Sequence, residues 1–437
     1  MASTLVADAL TEAFVIEGGR PLNGRVRAAG NKNGALPILA ATLLAGEPVT
    51  LTNVPRIRDV ETMVELIADL GADVDWLGPN EVRIDPGNVR KTTVDPALAS
   101  RIRASFLLSG PLLARFGEAT VTPPGGDVIG RRRLDVHIHA FEQLGADVHI
   151  DRVFELRADR LRGKHVFLDE ASVMGTENAV MAAVLAEGDT VIGNAACEPH
   201  VQDLCRFLVS LGARIEGIES NVLRIEGVER LGGGGAWRIG PDHIEVASFI
   251  GLAAVTGGDL WIDGADPKDL LPTLPHLGRL GLRVGVEGTT VHVPPNQDLV
   301  IHDDLGEQIP KIEDGPWPSF PADLTSIALA VATQARGTIL IFEKMFENRL
   351  FFVDKLVTMG ARIILCDPHR AIVAGPSRLY GERMESPDIR AGMAMLIASL
   401  CADGTSTIGN VQQIDRGYER IDERLRGLGA RIERVSG

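Results

Sequence analysis

The sequence predicts an α/β protein of two globular halves, each made of three copies of one unit, with buried helices covered by sheets. Two signatures, each recurring six times, carry the prediction. The first is a helix-to-strand junction: LGADVDW from Leu70, LGADVHI from Leu144, LGARIEG from Leu211, LGLRVGV from Leu280, MGARIIL from Met359 and LGARIER from Leu428. Each reads as a helix stopped by glycine and followed by a strand with β-branched residues. The second lies upstream of each junction: an apolar run of small residues, a break that usually contains glycine, then a strand. It reads LPILAATLLAGEPVTLTN, FLLSGPLLARFGEATVT and AVMAAVLAEGDTVIGN, then ASFIGLAAVTGGDLWIDG, IALAVATQARGTILIFE and MAMLIASLCADGTSTIGN. Six matched pairs are the mark of a repeat architecture.

Within each unit the upstream helix is apolar nearly all round, which calls for burial on every side. The helix before the junction is amphipathic. In the first copy Val60, Met63, Val64, Ile67 and Leu70 share one face and Glu61, Glu65 and Asp69 the other. Six units exceed one compact core, so three per half is the economical arrangement. The expected domains are residues 32–235 and residues 1–31 joined with 236–437. The Gly232–Gly235 tract marks one crossing and Asn31 the other, with a strand around Phe14–Ile16 completing the second half.

The net charge of −15 argues against nucleic acid as a partner, since phosphate backbones need a basic surface. Arginines grouped inside such an acidic chain are expected to hold a small anion. The four cysteines have no CxxC spacing, the N-terminus has no signal-peptide pattern, and the apolar runs are too short to span a bilayer. A cytoplasmic protein with no membrane insertion is expected.

The groups that packing does not require cluster in two kinds of place. At the starts of the apolar helices stand Lys32 and Asn33, Arg103, Glu177 and Asn178, Glu245, Asp323, and Asp388 with Arg390. Helix N-termini present free N–H groups suited to phosphate or carboxylate, although Asp323 and Asp388 are equally compatible with plain helix caps. In the loops after the first strands stand Asp127 and Arg132, Arg349, and Arg416. The loop Thr122–Asp135, TPPGGDVIGRRRLD, has the composition of a lid that closes over an anion, with prolines stiffening its entry and glycines permitting close approach. Lys32, Arg103 and Arg132 on one half facing Arg349, Arg390 and Arg416 on the other make a cleft for a polyanion. His137 and His139 lack a third metal ligand nearby, and no dinucleotide or phosphate-loop motif is present.

The motifs GNKNGALPILAATLLA, RIRASFLLSGPLLARFG, PPGGDVIGRRRLDVHI, FPADL, FENRLF and QIDRGYERI resemble those of the enolpyruvyl transferases that act on UDP-N-acetylglucosamine in peptidoglycan synthesis, from about Phe14 to the C-terminus. The resemblance implies an inside-out α/β barrel of two three-unit domains. It implies phosphoenolpyruvate held by Lys32, Arg132 and Arg416, with Arg103, Arg349 and Arg390 completing the cationic cleft. Asp323 would take the proton from the sugar 3′-hydroxyl and Asp388 would assist. Asn33 would contact the sugar, and Asp135, Ser172 and Val173 would lie near the uridine. No metal or other cofactor is implied, and the oligomeric state stays open. Three positions depart from the pattern: Asp127, where many members have the cysteine that the epoxide fosfomycin alkylates, and Glu170 and Gln413, where some have lysine and histidine. The alternatives are a 5-enolpyruvylshikimate-3-phosphate synthase-like transferase and a non-catalytic paralogue that senses a nucleotide sugar.

Overall fold

The computed structural model describes residues 12–126 and 129–436. Asp127 lies outside them. The apolar helix of each unit is present: α1 (Lys32–Ala41), α2 (Ser109–Phe116), α3 (Val173–Ala183), α4 (His243–Thr256), α5 (Thr325–Ala332) and α6 (Ile389–Cys401). Every residue of α5 is buried, as is all of α1 except Asn33 and all of α6 except Cys401. Helices this short are marginal on their own in water, so packing must hold them. α4, α5 and α6 pack on one another, and α2 packs on α3. Truncating Leu396, fully buried in α6, to alanine would cost about 2–5 kcal/mol.

Six sheets accompany these helices, five of four strands and one of three among the described residues. The first shows the pattern: Val49–Thr52 pairs antiparallel with Glu81–Asp85, which pairs antiparallel with Asp73–Gly78. A parallel neighbour on the other edge makes the four-stranded sheets mixed, as where Gly24–Arg27 lies beside Leu260–Asp263. The six junction glycines, Gly71, Gly145, Gly212, Gly281, Gly360 and Gly429, all have φ between 85° and 107°. A side chain is strained in that left-handed region, which is why the junction is spelled with glycine every time.

Buried apolar residues form two clusters, one drawn from residues 35–239 and the other from 14–28 and 244–432. The chain passes between them twice, and the two crossings run side by side. The Asn31 N–H donates to Gly240 O at 2.8 Å and the Asp242 N–H to Ala29 O at 2.9 Å. The second crossing comes later than the glycine tract suggests. Strand Ala236–Arg238 still pairs with Val49–Thr52, and Ile239 still belongs to the first cluster. Gly232–Gly235 instead packs on the turn at residues 46–48, where a Cβ on Gly233 would sit 2.7 Å from Glu47 O. Glycine there answers a close approach of backbones. Strand Glu12–Glu17 lies between Thr405–Gly409 and Arg431–Ser436, so Phe14 and Ile16 join the second cluster. No helix among the described residues is long and apolar enough to cross a membrane.

Candidate active site

The helix starts and the loops after the first strands converge between the two core clusters. Lys32, Asn33, Arg103 and Arg132 from one side and Asp323, Arg349, Asp388, Arg390 and Arg416 from the other line a single cavity of about 160 Å³. Four helix starts supply most of these groups. Asn31 caps α1 by accepting from the Asn33 and Gly34 N–H groups at 2.8 and 3.2 Å, which fixes Lys32 and Asn33 in the first turn. Arg103 opens the turn of 3₁₀ helix before α2, Asp323 lies in the turn before α5, and Arg390 is in the first turn of α6.

The cations are held by carboxylates. Asp59 accepts from Arg416 Nε at 2.8 Å and Nη2 at 3.2 Å, and from Lys32 Nζ at 2.7 Å. It is buried, and burial alone would favour its neutral form. The adjoining Lys32 and Arg416 outweigh that and keep the carboxyl below its ordinary range. Asp323 accepts from Arg349 Nη2 at 3.0 Å and from Arg390 Nε at 3.1 Å and Nη2 at 2.9 Å. Burial opposes its ionisation too, but Arg390 and then Arg349 override it and hold the carboxyl well below the usual carboxylate range. Its side chain keeps 27% of its surface exposed. Behind it, Glu343 lies 3.6 Å from Arg349 Nε, and its burial raises its pKa despite that neighbour.

The glycine-rich loop is docked across the cleft. Ile129 O accepts from the Asn348 N–H at 3.0 Å and Glu347 Oε2 from the Arg131 N–H at 3.2 Å. From below, Arg103 Nη2 donates to Arg132 O at 2.6 Å. Arg103 thus supports the loop backbone as well as lining the cavity. Burial, then Arg132, lowers its guanidinium to about 10. Two glycines have a steric reason: a Cβ on Gly125 would sit 1.7 Å from Ser100 O, and Gly130 has φ of 139° against Glu347.

Other candidates fall elsewhere. Asp388 caps α6, its Oδ1 accepting from the Arg390 and Ala391 N–H groups at 2.8 and 2.9 Å, although it also borders the cavity. Ser172 caps α3 through the Gly175 N–H at 3.2 Å, and Asp135 is an exposed partner of Arg133 at 3.0 Å. Asn178 is structural, bonding the Gly110 N–H at 3.0 Å, Phe106 O at 2.9 Å and His137 at 2.9 Å. Glu245 pairs with Arg424 and accepts the Ala29 N–H at the first crossing. The cavity continues past Asn33 and Asp323 into a second of about 220 Å³, which Val173 lines with Glu177, Glu198, His200, His243 and Trp317. Asp59, Glu198, His200, His243 and Trp317 were not singled out by the sequence. Asp59 alone left a signal, as a charge four residues before Met63 on the apolar stripe of its helix.

The EPSP synthase (3-phosphoshikimate 1-carboxyvinyltransferase) family profile matches residues 16–425. The chain is 60% identical to a UDP-N-acetylglucosamine 1-carboxyvinyltransferase of Bradyrhizobium diazoefficiens, covering 97% of this chain and 98% of that protein. It is 54% identical to that of Treponema denticola, covering 96% and 98%. Among solved structures it is similar to the enolpyruvyl transferase NikO from Streptomyces tendae, with a TM-score of 0.88 at 24% identity and 98% and 99% coverage. It is also similar to EPSP synthase from Acinetobacter baumannii, with a TM-score of 0.74 at 19% identity and 97% and 100% coverage. Those two likenesses speak to the fold, and the relatives of high identity speak to the family. The chain belongs to the enolpyruvyl transferases, in the UDP-N-acetylglucosamine 1-carboxyvinyltransferase family.

Proposed function

We propose that this enzyme transfers the enolpyruvyl group of phosphoenolpyruvate to the 3′-hydroxyl of UDP-N-acetylglucosamine and releases phosphate. The observation that carries the reading is the convergence of six cations around Asp323 in a cleft between two core clusters. Lys32, Arg132 and Arg416 hold phosphoenolpyruvate, and Arg103, Arg349 and Arg390 complete its neutralisation in a site where water is scarce and charge is felt strongly. Protonation of the methylene carbon, for which Asp127 is the donor, makes the neighbouring carbon cationic. The sugar hydroxyl attacks that carbon, and loss of phosphate together with a proton from the new methyl group restores the double bond. Asp323 takes the hydroxyl proton. Three of its roughly four acceptor positions are used by guanidinium N–H groups, which leaves one for a hydroxyl. A carboxylate so acidic is a weak base, so the proton moves late, when the attacked carbon has already made the hydroxyl acidic. Asp388 borders the reacting carbons, Asn33 contacts the sugar, and Asp135, Ser172 and Val173 lie toward the uridine.

The two core clusters serve as the two domains, and the buried helices with their six sheets fit an inside-out α/β barrel in each. A cytoplasmic enzyme suits substrates of this kind. Phosphate release measured with phosphoenolpyruvate and either UDP-N-acetylglucosamine or shikimate 3-phosphate tests the assignment. Turnover with the nucleotide sugar alone is expected, and comparable efficiency with shikimate 3-phosphate would sink it.

A further inference from the structure

The cleft is divided chemically. Around Arg416 and Arg390 it is cationic, whereas the 220 Å³ end is walled by four groups that burial drives toward neutrality. Glu177 is pushed well above the ordinary carboxyl range by burial and then by Glu198, and Glu198 is itself raised by burial. Burial lowers His200 to about 3 and His243 to about 4.

Three atoms of this wall are buried with no hydrogen-bond partner: Glu177 Oε1, Glu198 Oε2 and His200 Nδ1. Glu177 and His200 are 1% and 7% exposed. The scaffold holds the segments that carry these residues together. Thr176 Oγ1 accepts the Ala196 N–H at 2.8 Å, tying the start of α3 to the loop that carries Glu198. Glu198 precedes helix Pro199–Ser210 without capping it, so its carboxyl is not spent on the helix end. Its Oε1 reaches the Trp317 N–H across the cleft at 3.5 Å. Each unmet buried polar atom costs about 1–3 kcal/mol, and the three belong to residues that line one cavity, so a small side-chain rotation toward it would let a polar ligand satisfy them.

That ligand is uncharged where it meets this wall. It must supply both an acceptor for a carboxylic O–H and a donor for a carbonyl oxygen or an imidazole nitrogen, and a secondary amide supplies one of each. Asp323 borders the same cavity. In the proposed acceptor the carbon that bears the acetamido group adjoins the carbon whose hydroxyl Asp323 would deprotonate. We infer that Glu177 and Glu198 are specificity-determining residues that read the acetamido group of the acceptor sugar. The inference rests on the proposed function and adds the basis on which an N-acetylamino sugar is told from its plain hydroxyl counterpart.

Phosphate release with saturating phosphoenolpyruvate, using UDP-N-acetylglucosamine and UDP-glucose as paired acceptors, gives a ratio of kcat/KM values. Glu177→Val is expected to lower that ratio about tenfold or more. The loss should fall on the KM for UDP-N-acetylglucosamine more than on kcat. The thermal midpoint should hold or rise, because an unmet buried carboxyl is removed. Glu177→Gln, which keeps a donor and an acceptor, should recover most of the ratio, and Glu198→Leu should lower it as Glu177→Val does. A ratio unchanged in both Glu177→Val and Glu198→Leu would overturn the inference. If the unmutated protein turned over neither nucleotide sugar, the function assigned above would fail. The same ratio taken from calorimetric affinities for the two sugars would still decide the role of Glu177.

Discussion

Asp59 lies between a lysine from the start of α1 and an arginine from the loop after the last unit's first strand, so one carboxylate ties the two core clusters at the cleft. Breaking a buried pair of this kind costs about 3–5 kcal/mol, because the partners stay buried without compensation. Asp59→Asn should therefore lower the denaturant midpoint markedly. The pH dependence follows from the direction of its shift. A carboxyl depressed in the folded state contributes stability that is present above its ordinary pKa and is lost as pH falls through the depressed one. The unmutated protein should lose stability below about pH 4, and Asp59→Asn should lose less of it there; parallel acid titrations of the two would count against this account. Asp323→Asn tests the other carboxylate: substrates should still bind, with turnover down about 100-fold or more. Intact turnover with a lower melting temperature would make Asp323 structural. At Asp127 the sequence alone speaks: a carboxylate attacks an epoxide far less readily than a thiolate. The enzyme should work in the presence of fosfomycin, Asp127→Cys should acquire time-dependent inactivation, and rapid irreversible inactivation of the unmutated protein would refute this.

The repeats were legible because each unit must repeat the same physical solution. The junction glycines answer a left-handed backbone, and the all-round apolar helices answer burial. What set two units apart was less visible. In four units the residue directly after the first strand is left-handed, Asn53, Asn194, Gly264 and Asn410, with φ of 56°, 55°, 77° and 55°. The second and fifth units have Thr122 and Glu343 there instead. These two units carry the glycine-rich loop and the FENR loop, which dock on each other through Glu347 and Asn348. The lid composition of Thr122–Asp135 could be read from the sequence, but its partner could not, because Glu347 is more than two hundred residues away. Asp388 and Ser172 show the reverse limit: a capping carboxylate or hydroxyl and a catalytic one have the same spelling, and only their partners separate them. The docking predicts that Glu347→Ala will speed tryptic cleavage after Arg131–Arg133 and that UDP-N-acetylglucosamine will slow it in the unmutated protein. Equal cleavage with and without the nucleotide sugar would mean that the loop does not respond to it.

Across the whole molecule the electrostatics run against the average. A chain with a formal charge of −15 gathers six cations and three carboxylates, Asp59, Asp323 and Asp388, around one cavity between its core clusters. The surplus of three positive charges matches a ligand that brings a phosphate and a carboxylate. The paired crossings at Asn31 and Gly240 join the two clusters, and the like charges gathered at the cleft between them repel one another. An anion that enters should therefore stabilise the entire fold. At a concentration of about 100 times its Kd, a ligand confined to the folded state contributes roughly 2.7 kcal/mol, enough to raise the thermal midpoint of a protein this size by a few degrees. Inorganic phosphate should produce that rise in the unmutated protein. Lys32→Ala, with one cation fewer at the cavity, should show a smaller rise at the same phosphate concentration. A chloride series at matched ionic strength separates binding from screening, since screening reaches buried charges weakly. An equal response to phosphate in the two proteins, or an equal response to chloride, would place the anion somewhere other than this cleft.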